Sequence, residues 1–230
     1  MDFFAENNKR LISSKPFKPL KNMLIQTFTV GTFSTNCYVL TCPKTRESII
    51  IDPGFDDQIE AEKILNFIEK NQLQLKYIVN THGHPDHTCG NRMLKEKFHT
   101  PIMIHKDDAH LLGASAQAIA EALGFKNHSP EADILLEDGN FVKFGQISLK
   151  VMHTPGHSRG SISLVGEKEV ITGDTLFAGS IGRTDFPESS ELQMQQSLQK
   201  LKALPDHFAV YPGHGPATTM GEEKRNNPFM

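Results

Sequence analysis

The stretch "NTHGHPDHTCGN", residues 80–91, brings His82, His84, Asp86 and His87 together within a few positions. Imidazole and carboxylate are the side chains that hold divalent zinc, iron or manganese. In an extended segment His82 and His84, two residues apart, point the same way. Asp86 and His87 follow the turn at Pro85 and can serve a second ion. A metal cage also needs ligands from distant segments, and three segments offer them. "ISLKVMH" alternates, so Ile147, Leu149, Val151 and His153 share a face, and His153 ends that apolar row with an imidazole. "EVITGD" ends on Asp174, and "AVYPGHG" reaches His214 between two glycines. The set of five histidines and two aspartates suits two divalent ions rather than one.

His99, His105, His110, His128 and His207 have no partner motif and read as non-ligands. His157, beyond a Pro-Gly turn from His153, is expected to point away from the cage and to serve as a structural hydrogen-bonding residue. Asp52, at the end of "IIID", either orients a ligand imidazole or caps its own turn. Cys89 reads as a small apolar filler at a helix start. Arg183 follows Asp174 in a loop. Its planar fork suits a substrate carboxylate, and an ordinary surface ion pair is the competing reading. Lys224 and Arg225 read as solvated charges.

These side chains need a frame that gathers strand ends. "MLIQTFTV", "NCYVLT" and "ESIIID" read as consecutive strands, antiparallel because their connections are short. "DDQIEAEKILNFIEKNQ" is a helix, with Ala61, Ile64, Leu65 and Ile68 on one face. "LKYIVN" is the strand that delivers the chain to the histidine stretch. "TCGNRMLKEKF" is a helix and "PIMIH" a strand. Two short helices or an irregular lid follow, up to about residue 125. "ADILLE", "NFVKFG", "ISLKVMH", "SISLVG" and "EVITGD" are strands. "SSELQMQQSLQKLKAL" is a helix with Ser189 or Ser190 as its N-cap, and "HFAVYPGHG" closes with a strand. Strands with helices between them thus occur in two halves. Two facing sheets with helices outside would bury every apolar face and gather the charged loops along one edge.

Composition sets the outer limits. The chain has 230 residues, 24 basic and 27 acidic, for a net charge of -3. That balance argues against a nucleic-acid partner, which would favour a basic face. No apolar run approaches the ~20 residues of a membrane span. Residues 1–22 read as a poorly ordered arm and residues 23–230 as a single domain. The three cysteines, with no apolar leader, fit free thiols in a reducing compartment, so a cytoplasmic protein is expected.

"THGHPDH", "HTPGHS", "GDTLF" and "PGHG", in this order, resemble the metallo-β-lactamase superfamily. The resemblance implies an α/β fold, a four-layer αββα sandwich of two mixed sheets with a two-metal site at one edge. It implies a first site of His82, His84 and His153, a second of Asp86, His87 and His214, and Asp174 bridging them. The ions would be zinc, with iron or manganese as the other candidates. "GDTLFAGSIGRTDFP" and "PGHGPATTMGEEKRNNPF" are similar to the short members of the glyoxalase II (hydroxyacylglutathione hydrolase) group. Longer members carry a C-terminal helical domain, which this sequence is not expected to have. The activity implied is cleavage of a glutathione thioester of the S-lactoylglutathione type, by a hydroxide held between the ions and oriented by Asp86. "GRTDF" also resembles persulfide dioxygenases, which use one iron; His82, His153 and Asp174 would then hold it. A binding protein with purely structural metals is the rival from another class.

Overall fold

Alternation along the strands sets the layers. In β2 (Thr35–Thr41), Tyr38 and Leu40 face one way and Cys37 and Val39 the other, and all four are buried. A strand buried on both faces lies in a sheet covered on both sides. The computed structural model describes residues 23–230; the expected N-terminal arm, residues 1–22, lies outside the described residues.

The first sheet runs β1 (Leu24–Val30), β2, β3 (Glu47–Ile51), β4 (Gln74–Val79), β5 (Ile102–His105) and β6 (Ile134–Leu136) in that spatial order. β1, β2 and β3 pair antiparallel, as their short connections predict, and β3 through β6 pair parallel. The second sheet holds β7 (Phe141–Phe144), β8 (Ile147–His153), β9 (Ile162–Val165), β10 (Glu169–Gly173), β13 (Ala209–Pro212) and β14 (Thr218–Thr219). Between β10 and β13 lies a small hairpin of β11 (Leu176–Phe177) and β12 (Ser180–Ile181).

Tyr38, Leu40, Ile49, Ile51 and Val79 of the first sheet meet Val142, Leu149, Val151, Leu164 and Ile171 of the second in one buried cluster. The outer face of the first sheet packs Val39, Ile50 and Ile78 against α1 (Gln58–Lys70) and α3 (Asn91–Phe98). The predicted face of α1, Ala61, Ile64, Leu65 and Ile68, is the buried one. Val170 and Val210 cover the other sheet's outer face, against Met194, Leu198 and Leu201 of α5 (Glu191–Lys202) and Met220 of α6 (Met220–Asn226). The result is the αββα sandwich. Each fully buried aliphatic side chain in these clusters contributes about 1.5–3 kcal/mol. Ser190 is the N-cap of α5, accepting from Gln193 N at 3.3 Å. The region after β5 folds as a 3-10 turn, Lys106–Leu111, and α4 (Ala114–Ala122).

Parallel pairing decides where the functional residues gather. β3 beside β4 brings Asp52 and the histidine stretch to one edge, and β10 beside β13 brings Asp174 and His214 to one edge. The two edges are joined. Ile162 N donates to Thr81 O at 2.9 Å, and Asn36 N donates to Gly213 O at 2.7 Å. Strand carboxyl ends are where such sheets place their sites.

Candidate metal centre

β4 ends at Val79, the chain bends at Thr81 and His82, and it is extended again at His84 before Pro85 opens the four-residue helix α2 (Pro85–Thr88). Pro85 suits that first helical position because its missing N–H has no partner there anyway. Asp86 and His87 therefore stand on the first turn of α2, while His82 and His84 project from the short segment that joins β4 to it.

Around this stretch the structure brings together His82, His84, Asp86, His87, His157, Asp174 and His214, in overlapping groups of three. One is His82, His84 and His157; one is Asp86, His87 and His214; one joins His82 and His87 to Asp174. Within each group the ligand atoms lie within 4.8 Å of one another. Asp174 spans the groups: Oδ1 is 3.4 Å from His87 Nε2, and Oδ2 is 3.5 Å from both His157 Nε2 and His214 Nε2.

Here the structure corrects one expectation. His153, expected beside His82 and His84, lies elsewhere, and His157 occupies that place. His157 Nε2 is 2.9 Å from His84 Nδ1. Leu149 and Val151 do face the core, as strand alternation requires. The strand stops short of the cluster, however, and His153 stacks on His105 across the sandwich at 4.0 Å and 14°. With Asp107 these two form a further group of possible donors. Rings so nearly parallel cannot both place one ion in their planes, so they are badly set for coordination. The Pro155-Gly156 turn does not send His157 away. Gly156 N donates to Ser158 O and Thr154 N to Ser161 O, which folds the loop back over the cluster.

Four of the five imidazoles in the cluster, all but His84, are held from behind. His157 Nδ1 donates to Arg183 O at 2.9 Å, His214 Nδ1 to Phe33 O at 3.0 Å, and His87 Nδ1 to Asp52 Oδ2 at 3.0 Å. Of the two readings open for Asp52, the structure shows it orienting an imidazole, and it also accepts from Thr81 N and Thr81 Oγ1. Thr81 Oγ1 gives its proton to Asp52, so it accepts from His82 Nδ1 at 3.1 Å. These partners turn the other nitrogen of His82, His87, His157 and His214 inward as a lone pair.

The inward atoms fit a cation. His82 Nε2 and Asp174 Oδ1 are buried with no hydrogen-bond partner, and both are acceptors, so neither can satisfy the other. His87 Nε2 and His214 Nε2 face each other at 3.2 Å. With both Nδ1 atoms already donating outward, that approach requires a proton or a metal between them. Electrostatics agree. Burial works against charge on His87, but Asp86, Asp174 and Asp52 outweigh it and lift its pKa to about 10. His214 is raised by Asp86 and Asp174 against the same burial penalty. Asp86 is held well below the usual carboxylate range: His87 and His214 overcome its desolvation. On the other side, burial and then His157 press His84 down to about 3, and burial lowers His82 as well. One half of the cluster attracts positive charge, and the other keeps His82 and His84 neutral for coordination.

The model for the metallo-beta-lactamase superfamily matches residues 30–214. The chain belongs to the metallo-beta-lactamase superfamily. Hydroxyacylglutathione hydrolase GloC of Haemophilus influenzae is 36% identical over 217 residues, covering 90% of this chain and 98% of the relative. Among solved structures, BLEG-1 B3 metallo-beta-lactamase superposes with a TM-score of 0.81 at 34% identity, covering 90% of this chain and 99% of that one. TTHA1623, in a di-iron-bound form, has a TM-score of 0.78 at 35% identity, covering 89% and 100%. Membership and the paired histidine–aspartate groups together make this a metal-binding protein of hydrolase type.

Other predicted residues fall into place around the centre. Arg183 is exposed, pairs with Asp185 at 2.6 and 2.7 Å and lies over Phe186 at 4.2 Å. Phe186 in turn meets the edges of His84 and His157. Cys89 is buried with Ala120 and Phe125. Cys37, Cys42 and Cys89 are all free. Lys224 donates to Leu204 O and Asp206, and Arg225 faces Glu222. His99 ends α3, His128 meets Arg92, and His110 meets Glu188. No helix among the described residues is long and apolar enough to cross a membrane.

Proposed function

We propose that this chain is a two-metal hydrolase that cleaves a glutathione thioester of the S-lactoylglutathione type. The observation that carries the metal part is the pair of donor sets with Asp174 between them: His82, His84 and His157 would hold one ion, and Asp86, His87 and His214 the other. When bound, such ions lower the pKa of water towards neutrality and polarise a carbonyl oxygen. Zinc or iron suits these nitrogen and oxygen donors, and the di-iron form of TTHA1623 makes iron as natural an expectation as zinc.

The chain's own residues then bind and orient. Side chains of Asp86 and His214 keep 21% and 25% of their surface exposed, whereas His82 and His87 are closed off. Substrate therefore approaches from the Asp86–His214 side. Ionised Asp86 keeps an acceptor oxygen at the open side, steadied by Thr35 Oγ1 at 3.3 Å, and can hold the proton of an attacking water. A thiolate departs readily because its conjugate acid has a pKa of about 8.5, so no strong general acid is required. Phe186 and Arg183 flank His84 and His157, where a substrate carboxylate would have to draw Arg183 from Asp185.

Likeness to the Haemophilus hydroxyacylglutathione hydrolase over nearly its whole length supports the thioester. Likeness to BLEG-1 favours a lactam as the second reading. Metal-loaded protein assayed on S-lactoylglutathione, a chromogenic cephalosporin and glutathione persulfide separates these. Free thiol from the first, abolished in Asp86→Ala, is the expected result. Cephalosporin opening alone would favour the lactam reading, and oxygen uptake with the persulfide would identify a dioxygenase.

A further inference from the structure

Asp108 is fully buried in the 3-10 turn after β5, a carboxylate at zero exposure outside the set of inward-facing donors. Its oxygens are committed to the two loops that carry His82, His84 and His157. Oδ2 accepts from Gly83 N at 3.0 Å and from Ser158 Oγ at 2.6 Å, and Oδ1 accepts from Gly160 N at 2.5 Å. Gly83 is the residue between His82 and His84, and Ser158 follows His157. Ser158 is itself supported, its N–H donating to Ser161 Oγ at 3.1 Å and its oxygen 2.7 Å from that hydroxyl.

The packing is as specific as the hydrogen bonding. A Cβ on Gly160 would come within 2.6 Å of Asp108 N and Cβ. One on Gly83 would come within 2.5 Å of Leu111 Cβ, at the end of the same turn, and 3.2 Å of Asp108 O. Both loops therefore press bare backbone onto this turn. A buried carboxylate is tolerated only when donors replace its water, and here all three come from the two histidine loops, which belong to different sheets.

We propose that Asp108 is a positioning residue for the metal centre: it clamps the His82–His84 loop to the His157 loop and so sets the spacing of those three imidazoles. The inference rests on the two-ion reading above and predicts an effect confined to one ion. Groups behind metal ligands tune affinity by about 10–100-fold when removed.

The test is Co(II) binding to metal-stripped wild type, Asp108→Asn and Ser158→Ala, by chelator competition and visible absorption, with melting temperatures beside them. The expected result is that one of the two Co(II) equivalents weakens by about 10–100-fold in Asp108→Asn and its absorption bands shift, while the other holds. Ser158→Ala, which removes one bond of the three, shifts the same equivalent less. Wild-type Co(II) affinity and spectrum in both variants would overturn the inference, even with lowered melting temperatures, because a purely structural residue would behave so. Should Asp108→Asn fail to fold, Ser158→Ala decides alone by the same criterion. Wild type that binds no Co(II) would overturn the two-ion reading itself and this inference with it, a result distinct from normal binding in every chain.

Discussion

His153 ends β8 and His157 lies four residues further on, in the loop that follows, and exchanging their roles gives opposite predictions. His157→Ala removes the nitrogen that lies 2.9 Å from His84 Nδ1 and 3.5 Å from Asp174. A four-ligand zinc site is worth about 10–16 kcal/mol, so one imidazole of the set carries ~3 kcal/mol, or ~10²-fold in affinity. Losing the bond from His157 Nδ1 to Arg183 O also loosens the loop that bears Phe186. His153→Ala removes the stack on His105 and a bond to Arg159 O at 2.8 Å. Those contacts are worth about 1–2 kcal/mol of stability and none of the metal affinity. The assay is metal per chain after dialysis against a graded chelator, with thermal melts in parallel. The expected outcome is a chain with one ion lost in His157→Ala and two ions kept in His153→Ala. Loss of metal from His153→Ala with retention in His157→Ala would refute the reasoning from geometry.

Further outcomes follow from the same contacts. Asp52→Asn leaves His87 Nδ1 and Thr81 without their carboxylate, and metal affinity at the Asp86–His87–His214 position should fall by about 10–100-fold, measured by chelator competition. Metal-free protein should be most stable near pH 6.5. Below that, unfolded His84 takes a proton that the folded chain, with this pKa near 3, refuses, so stability falls from 6.5 towards 3. Above it, the stability from protonated His87, fully present below 6.5, is lost as pH climbs to about 10. Thermal melts across pH check both limbs, and bound metal should flatten the alkaline one by taking the proton's place. Arg183→Ala should leave the melting temperature close to that of wild type, since its pair with Asp185 is exposed; a raised KM with kcat unchanged would mark a substrate contact.

Local patterns carried most of this frame. The apolar faces of α1 and the strands, the carboxyl-end positions of Asp174 and His214, and the spacing of His82, His84, Asp86 and His87 could all be read from residue types alone. What could not be read depends on how a loop returns. Strand parity favoured His153, and only the bonds of Thr154, Gly156 and Ser158 reveal that the Pro-Gly turn carries His157 back. The repeated "H" of "HTPGHS" was the available signal, and its second histidine was the one to weigh more heavily. Asp52 was legible as one of two roles, because a carboxylate at a strand end either caps or reaches across. Asp108 left only a "DD" pair after "PIMIH", with nothing local to say that its partners lie 25 and 50 residues away. The hairpin of β11 and β12 and helix α6 were missed because each is short and held by tertiary contacts, such as Glu223 accepting from Gly179 N and Thr218.

The most direct test of the two-ion centre is anomalous diffraction from metal-loaded crystals, collected at the edge of the bound metal. Two neighbouring peaks are predicted, one among His82, His84 and His157 and one among Asp86, His87 and His214, with Asp174 between them. A single peak, or a peak at His153 beside His105 and Asp107, would contradict the account.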